Sequence, residues 1–388
     1  MQPDLSALDA TLGDRDGYLV DADGTDSTQR YLSGFDAPDP FVTCHTPDGV
    51  HLLVSGLEYG RAKKESRADS VSRLSAYDYR ERTSEAGPVD GRAAVVADFL
   101  ADRGVESVVV PARFPLGTAD GLRDAGVTVD VDDEDTVTRI RAVKTPAEVE
   151  HVRRTQRANE RAMATAESLI ESATVVEGVL HRDGDPLTSE AVRLAIERTL
   201  LEDGCALDET IVACGTDTAD PHERGSGPLR ADEPIVVDIF PRDKETKYHG
   251  DITRTFLRGT PDPTLREWFD LTDEARRAAL DAVEPGVTGE AVHAAACDVY
   301  EDAGLPTLRA DPSAETGFIH STGHGVGLDV HELPRIGPDG DELEPGNVIT
   351  IEPGLYDPAV GGVRIEDLIV VTEDGYENLT EYPVELVV

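Results

Sequence analysis

Three motifs decide how this chain folds: FIHSTGHGVGLDVHELPRIG (residues 318–337), NVITIEPGLY (347–356) and GGVRIEDLIVV (361–371). In each of them polar side chains alternate with glycines and β-branched apolar residues. Such alternation is typical of strands whose polar side chains face a cleft. Glu352 ends the apolar run of the second motif and precedes a proline, so we expect its carboxylate at the end of a strand.

The third motif predicts a strand with two different faces. Period-two alternation places Arg364 and Glu366 on one face and Val363 and Ile365 on the other. A carboxylate in so apolar a strand is costly to bury unless another group pairs with it. We therefore interpret the three motifs as one half of a metal site.

The other half is predicted from two upstream segments, IVVDIF (235–240) and HGDITRTF (249–256). If they form a hairpin centred between residues 244 and 245, Asp238 and Asp251 lie directly opposite each other, with Cβ atoms about 5 Å apart. Two carboxylates placed in this way repel, and a cation between them would make them a pair of ligands. Four carboxylates and one imidazole form a hard, oxygen-rich donor set that suits two divalent ions such as Mn or Co.

The candidate ligands occur in order with characteristic neighbours: GHGVGLDVHE around His324, IEPGLY around Glu352 and VRIED around Glu366. With Asp238 and Asp251 upstream, this series resembles the pita-bread metallopeptidases, which include prolidase, aminopeptidase P, creatinase and methionine aminopeptidase. The resemblance covers the whole C-terminal part of the chain and, more weakly, the N-terminal part.

The resemblance implies a fold, cofactors and an assembly. The fold is α+β, with a pita-bread catalytic domain at residues 144–388 preceded by a smaller α/β domain of the creatinase type at residues 1–143. The cofactors are two divalent metal ions, with Mn preferred and Co, Fe or Zn as alternatives. The assembly is a homodimer. The metal ligands are Asp238, Asp251, His324, Glu352 and Glu366.

The family pattern also implies catalytic roles. Glu352 is both a ligand and the general base, while His222 and His331 stabilise the oxyanion or hold the substrate. Without the resemblance, His222 would be interpreted as a surface histidine on a loop. His249 is close to Asp251 in sequence but matches no family motif, so we expect it to be structural.

Three other residues complete the implied site. Arg364 is a catalytic residue that pairs with Asp251 or Glu366 and orients a ligand, and the alternative is an ordinary ion pair of the sheet. His320 completes a His-Ser-Thr-Gly-His pattern similar to that of prolyl peptidases. Arg335 resembles the arginine that binds the substrate carboxylate in some prolidases. His320 and Arg335 are therefore expected to bind substrate.

The function implied is a metallopeptidase, either an Xaa-Pro dipeptidase or an Xaa-Pro aminopeptidase. It would cleave the amino-terminal Xaa-Pro bond of dipeptides or short proline-containing peptides by means of a metal-bridging hydroxide. One alternative is a creatinase-like hydrolase that cleaves a C–N bond without metal. Another is a non-catalytic member of the fold that binds peptides. The complete series of ligands favours the metal-dependent hydrolase.

The composition is strongly acidic. The 388 residues include 78 acidic and 36 basic ones, for a formal net charge of −42. Such a surface repels nucleic acids and anionic membranes, so neither is expected as a partner. The acidic residues are spread along the chain, which indicates adaptation to a high-salt cytoplasm; a disordered acidic tail is the alternative. By the same argument Glu332 and Asp367 are expected to be solvated surface acids.

The four cysteines, Cys44, Cys205, Cys214 and Cys297, are scattered and lack CxxC spacing. This pattern predicts reduced thiols inside a cell. The sequence has no run of eighteen apolar residues, and Met1–Asp4 lack the features of a signal peptide. We therefore expect a soluble, cytoplasmic protein.

Secondary-structure signals divide the chain near residues 141–146. Before this point, short strands alternate with helices, as in a small α/β domain. After it, Thr145 and Pro146 predict the start of a long helix that extends to about residue 172. The remaining signals predict helices from residue 189 and over 263–283 and 288–303. Strands at 209–214, 235–240, 251–257, 348–351 and 363–371 are expected to form one curved, largely antiparallel sheet.

Overall fold

The structure is a computed structural model that describes residues 5–388. The expectation drawn from Met1–Asp4 lies outside the described residues. The chain divides into two compact units, of which the first ends at Arg141 and the second spans Ala142–Val388.

The first unit contains one mixed six-stranded sheet in the order β4-β3-β2-β1-β5-β6. Strands β1, β2 and β3 pair antiparallel, whereas β5 and β6 extend the sheet in parallel. The strands are β1 Gly17–Ala22, β2 Phe41–Thr46, β3 Gly49–Val54, β4 Ser70–Arg73, β5 Ser107–Pro111 and β6 Thr128–Asp132. The helices are α1 Ser6–Leu12, α2 Ser27–Ser33, α3 Tyr59–Glu65, α4 Tyr79–Ala86, α5 Pro88–Ala101, α6 Leu116–Asp124 and α7 Thr136–Ala142.

Two pairs of helices organise the second unit. Its first helix begins where predicted, because Thr145 Oγ1 accepts a hydrogen bond from Glu148 N–H while the Glu148 carboxylate accepts one from Thr145 N–H. The helices are α8 Pro146–Glu171, α9 Ser189–Glu202, α10 Pro263–Asp281 and α11 Gly289–Asp302.

Two antiparallel sheets, with orders β11-β12-β14 and β16-β15-β17-β20-β21, pack against these helices. One apolar core joins α8 and α9 to the first sheet, and another joins α10 and α11 to the second. The single predicted sheet is thus two, since each helix pair covers its own set of strands. The strands are β7 Thr174–Val176, β8 Val179–Arg182, β9 Asp185–Pro186, β10 Cys205–Ala206, β11 Thr210–Cys214, β12 Ile235–Ile239, β13 Arg242–Asp243, β14 Ile252–Phe256, β15 Gly323–Gly325, β16 Glu332–Ile336, β17 Val348–Ile351, β18 Gly354–Asp357, β19 Gly361–Arg364, β20 Asp367–Thr372 and β21 Gly375–Asn378.

The predicted register of the first hairpin is wrong by two residues. Asp238 lies opposite Thr253, and Asp251 precedes β14. The cause is the turn, where one carboxylate oxygen of Asp243 accepts hydrogen bonds from the N–H groups of Glu245 and Thr246, at 2.8 Å each. This Asx turn places the end of the hairpin further along the chain than a symmetric loop would.

The third motif forms two strands rather than one. Strand β19 ends at Arg364 and pairs with β18, whereas β20 begins at Asp367 and pairs with β17. The chain therefore passes from one sheet to another at Ile365 and Glu366. The predicted division of faces is nevertheless confirmed, because Val363 and Ile365 lie in the apolar core and Arg364 and Glu366 line a cavity.

The expectation that Glu332 and Asp367 are solvated is also wrong. Asp367 is 2% exposed and forms ion pairs with Arg254 and Arg276. The Glu332 carboxylate lies 3.1 Å from Lys144 Nζ in a pair whose side chains are 2% and 1% exposed. An acidic composition does not predict the environment of an individual acid, because a local cation can compensate its burial.

None of the helices described over residues 5–388 is long and apolar enough to cross a membrane. All four cysteines are free thiols, and Cys44, Cys205 and Cys297 are buried.

Candidate active site

One cavity of about 830 Å³ in the second unit brings together every predicted site residue. Its lining comes from the ends of β12, β15, β17 and β19 and from the loops beside them. The predicted residues in the lining are His222, Asp238, Asp251, His320, His324, His331, Arg335, Glu352, Arg364 and Glu366.

His324 lies in β15 between two glycines that the packing requires. A Cβ at Gly323 would lie 2.0 Å from Thr350 O, and one at Gly325 would lie 2.1 Å from Leu333 O. His324 Nδ1 donates to the carbonyl of Gly325 at 3.1 Å, which leaves Nε2 directed into the cavity. A backbone hydrogen bond on one ring nitrogen is the usual way of orienting a metal-binding histidine.

Two carboxylates next to this ring lack a lysine or arginine partner. Asp251 and Glu366 are 4% and 2% exposed, and no lysine or arginine over residues 5–388 forms an ion pair with either of them. Burial, followed by the negative charges of neighbouring acids, raises the pKa of both carboxyl groups well above the usual value. A ligand atom from each of Asp251, His324 and Glu366 lies within 4.8 Å of the other two.

Asp238 has a partner for only one of its oxygens. Arg364 Nη2 donates to Asp238 Oδ2 at 2.7 Å, whereas Asp238 Oδ1 is buried without a hydrogen-bond partner in the described part of the chain. The prediction that Arg364 pairs with Asp251 or Glu366 is therefore wrong. The two-residue shift of the hairpin accounts for this difference, because it places Thr253 rather than Asp251 opposite Asp238, and Thr253 Oγ1 accepts from Arg364 Nε at 3.2 Å.

Glu352 follows β17 directly, and its predicted position at a strand end is confirmed. Its Oε1 lies 3.3 Å from His324 Nε2 and accepts from Thr350 Oγ1 at 3.2 Å. Burial alone would raise the pKa of Glu352, but the hydrogen bond and charge of His324, with further positive groups, outweigh burial and lower it to about 2. In this arrangement a proton on His324 Nε2 compensates the charge of Glu352.

The donor set therefore fits divalent metal ions. It offers buried carboxylates that repel one another, one carboxylate oxygen with no partner, and a ring nitrogen aimed at them. Oxygen-rich sets of this kind suit hard divalent cations. Positive charge between these groups would remove the electrostatic cost of burying them.

The outer part of the cavity is exposed and carries two imidazoles and one guanidinium. His222, His331 and Arg335 are solvent-exposed residues that line it. The His331 ring meets the His324 ring edge to face, with centroids 4.2 Å apart. The structure thus places a hydrogen-bonding imidazole next to a candidate ligand.

His320 has a different environment. Its Nδ1 donates to the Ser321 carbonyl at 2.7 Å, so its Nε2 accepts from the Tyr356 hydroxyl at 3.0 Å. Tyr356 in turn accepts from Arg364 Nη1 at 2.9 Å. His320 is therefore the end of a hydrogen-bonded chain that leads back to Asp238.

Several residues that hold the candidate ligands in place were not predicted from the sequence. Thr253 Oγ1 donates to Glu366 Oε2 at 2.9 Å. The side-chain amide of Gln156 accepts a hydrogen bond from Asp251 N–H and donates one to the Asp251 carbonyl. Alternation from Asp251 could have identified Thr253, because residues two apart share a face. Gln156 is a fully buried polar residue on α8, and helical periodicity alone gives no sign of its partner. Tyr356 was visible only as the last residue of the second motif.

Comparisons with known proteins agree with this site. The model of metallopeptidase family M24 matches residues 150–373. The chain is 37% identical over 281 residues to a probable dipeptidase PepE from Mycobacterium tuberculosis, which covers 72% of this chain and 68% of that protein. It is 29% identical to an Xaa-Pro dipeptidase from Pyrococcus horikoshii over 92% of this chain and 91% of that one.

A solved structure of the prolidase from Pyrococcus horikoshii superposes with a TM-score of 0.79 at 25% identity and covers 98% of this chain and 99% of that one. The fold is therefore that of the prolidases, an α+β pita-bread catalytic domain preceded by a smaller α/β domain. The family match and the donor set lead to the same conclusion: this chain belongs to metallopeptidase family M24.

Proposed function

We propose that this enzyme cleaves the amino-terminal Xaa-Pro bond of dipeptides or short peptides with two divalent metal ions. The observation that carries the proposal is the single cavity in which buried, unpaired carboxylates lie beneath exposed histidines and an arginine. Relatives named Xaa-Pro dipeptidase and prolidase support the choice of substrate. The domain assignment, residues 1–143 and 144–388, is part of the same proposal.

The proposed ligands are Asp238, Asp251, His324, Glu352 and Glu366. Two ions held by them would polarise the scissile carbonyl and lower the pKa of water. With a cation on His324 Nε2, that nitrogen could not donate to Glu352, so a carboxylate oxygen of Glu352 would be free to accept a hydrogen bond from water. Glu352 would in this way hold and accept the proton of the water as general base.

Residues of the outer cavity act on the substrate in this proposal. His331 and His222 donate hydrogen bonds to the developing oxyanion or hold the peptide. Arg335 binds the carboxylate at the far end of a dipeptide, because a guanidinium pairs well with a carboxylate. Arg364 holds Asp238 in position, and Tyr356 supports Arg364. His320, which lines the cavity beside Tyr356, remains a proposed substrate-binding residue.

Manganese is the proposed metal, with Co, Fe and Zn as alternatives, because oxygen atoms dominate the donor set. A metal-free, creatinase-like hydrolase is disfavoured, since it would leave Asp251 and Glu366 buried without a cation. A non-catalytic binding protein would have no reason to bury carboxylates that repel one another, since their burial costs free energy.

The test combines metal analysis with substrate choice. Protein purified without chelator is assayed on an Xaa-Pro dipeptide, an Xaa-Pro-Yaa tripeptide and an Xaa-Ala dipeptide, with each metal in turn. We expect cleavage of proline-containing substrates, loss of activity after chelation and recovery with Mn. Metal-loaded protein that binds these peptides without cleaving them would favour the binding protein, and full activity after chelation would favour the metal-free hydrolase.

We further propose a cytoplasmic homodimer adapted to high salt. The net charge of −42 supports the adaptation to high salt, because the Debye length grows from about 3 Å at 1 M salt to about 10 Å at 0.1 M, which exposes acidic surfaces to mutual repulsion. Dialysis to low salt should therefore unfold or inactivate the protein, as measured by circular dichroism and turnover. Unchanged spectra and activity in dilute buffer would contradict the adaptation, and light scattering tests the dimer.

A further inference from the structure

The turn that connects β15 to β16 carries functional residues at both of its ends. His324 lies before it in β15, His331 is its last residue, and Arg335 lies in β16. The pairing of the two strands is irregular, because Gly325 lies opposite Glu332 whereas His324 lies opposite Arg335. The backbone hydrogen bonds between the two strands are therefore less regular than those of an ordinary hairpin and constrain the turn less.

Glu332 fixes the turn from the inside. Its Oε1 accepts from Asp329 N–H at 2.9 Å, while Gly327 N–H donates to the carbonyl of Asp329 at 3.0 Å. The Glu332 carboxylate packs so closely on the turn that a Cβ at Gly327 would lie 2.5 Å from Oε2. The carboxylate thus fills the interior of the turn in place of a side chain at residue 327.

Because side chains alternate between the two faces of a strand, the position of Glu332 determines where two cavity residues lie. Glu332, Pro334 and Ile336 are buried on the inner face of β16, whereas His331 and Arg335 are exposed on the side that lines the cavity. A strand anchored at Glu332 must present these two residues to the cavity. Glu332 itself does not line the cavity.

Lys144 supplies the charge that keeps Glu332 in this place. Lys144 Nζ lies 3.1 Å from Glu332 Oε2, and the two side chains are 1% and 2% exposed. The backbone of Lys144 is fixed in turn, since its N–H donates to the carbonyl of Gly346 at 2.9 Å. An acid of this kind, buried without a cation, would be costly.

We propose that the Lys144–Glu332 ion pair is a positioning device for His331 and Arg335. It contacts no substrate and acts through the turn, and its effect on catalysis rests on the proposed peptidase function. Residues behind a site of this kind commonly change activity by about 10-fold to 100-fold. An ion pair that only stabilised the fold would affect turnover equally with and without His331. This pair should affect turnover mainly when His331 is present.

The decisive experiment is a double-mutant cycle between Glu332→Gln and His331→Ala, measured on an Xaa-Pro dipeptide. Glu332→Gln should lower kcat by about 10-fold to 100-fold with the metal content retained. In the His331→Ala background the same change should lower kcat by less than about 2-fold, because the residue that it positions is gone. Adding Lys144→Met to Glu332→Gln should recover part of the loss, because no buried lysine then remains unpaired.

A second readout does not depend on the substrate. In protein with carbon-13-labelled histidines, metal-free and zinc-loaded, the ring resonance of His331 is assigned by its loss in His331→Ala. Glu332→Gln should shift or broaden this resonance and leave unchanged that of His181, which lies in β8 and does not line the cavity. If wild-type protein cleaves no Xaa-Pro peptide, the proposed function fails while this measurement still tests the positioning.

The control is Ile196→Ala, which removes a buried side chain from α9 without touching the turn. It should lower the thermal midpoint and leave kcat and the His331 resonance unchanged. If Glu332→Gln does not fold, Lys144→Arg, which keeps the charge but moves the donor nitrogens, takes its place. Equal losses of kcat in both backgrounds, or an unmoved His331 resonance, would overturn the proposal.

Discussion

Glu366 and Asp367 are consecutive acids, each 2% exposed, and their surroundings are opposite. Glu366 accepts a hydrogen bond from the Thr253 hydroxyl and lies among other carboxylates, which together with burial raise its pKa. Asp367 accepts from Arg254 at 2.9 Å and from Arg276 at 2.5 Å. The protein thus supplies the compensating cations for one acid and not for its neighbour.

Burial therefore does not by itself identify a metal ligand. Asp367 and Glu332 are buried, as Asp251 is, but arginine or lysine side chains pair with them. Asp251 and Glu366 remain without such partners among the described residues. The uncompensated charge, rather than the depth, distinguishes the two groups and points to an external cation.

The largest effect should come from removing an uncompensated acid. Asp251→Ala and Glu366→Ala should each lower kcat/KM by at least about 1000-fold and reduce the metal content, since both remove a direct ligand. Steady-state kinetics and metal analysis of the same preparations measure this. Glu197→Ala, which removes an exposed acid of α9, should change neither quantity. Near-normal turnover with a full complement of metal in either ligand variant would mean that the ligands are misassigned.

The cavity histidines should show an intermediate effect and separate metal binding from catalysis. His331→Ala should lower kcat by about 100-fold to 1000-fold and raise KM less, because an oxyanion donor acts mainly in the transition state. His222→Ala should lose a comparable factor if it holds the same intermediate. Both variants should retain their metal.

Kinetics on an Xaa-Pro dipeptide, run beside metal analysis, decide these histidine roles. Metal loss in His331→Ala would make that residue a ligand, and wild-type kinetics in His222→Ala would return it to an ordinary surface histidine.

A smaller effect, on stability rather than on turnover, is expected at the compensated acid. Asp367→Asn leaves Arg254 and Arg276 without their carboxylate and should lower the free energy of unfolding by about 3 kcal/mol. Denaturant unfolding of chelated protein measures the change at constant high salt.

The matched change Glu366→Gln should behave in the opposite way in the same chelated protein. Its raised pKa means that the metal-free folded state binds a proton that the unfolded chain releases, so the stability from this group is complete below about pH 4.5 and is lost as the pH rises. Glu366→Gln should therefore gain stability relative to wild type between pH 5 and pH 8. A loss of stability as large as that of Asp367→Asn would remove the distinction between the two acids.

The sequence predicted the residues of the site better than it predicted the residues that hold them in place. The motifs around His324, Glu352 and Glu366 depend on local spacing, so their strands and their common cavity could be anticipated. The register of Asp238 could not, because it depends on hydrogen bonds that Asp243 makes within the turn. A two-residue shift there changed the partner of Arg364.

Contacts between residues that are far apart in the sequence could not be predicted either. Lys144 and Glu332 are 188 residues apart, and Gln156 and Asp251 are 95 apart, so no local pattern relates them. The acidic composition further concealed Glu332 and Asp367 among many surface acids. Contacts of this kind arise from tertiary packing, which periodicity and spacing do not encode.

We infer that uncompensated acids of this protein bind metal and that compensated acids do not. The metal stoichiometry of Glu366→Gln and Asp367→Asn, measured by elemental analysis after loading with Mn in high salt, tests this inference. We predict that wild type and Asp367→Asn bind about two ions per chain, whereas Glu366→Gln binds about one or fewer. Full loading of Glu366→Gln together with metal loss in Asp367→Asn would contradict the account.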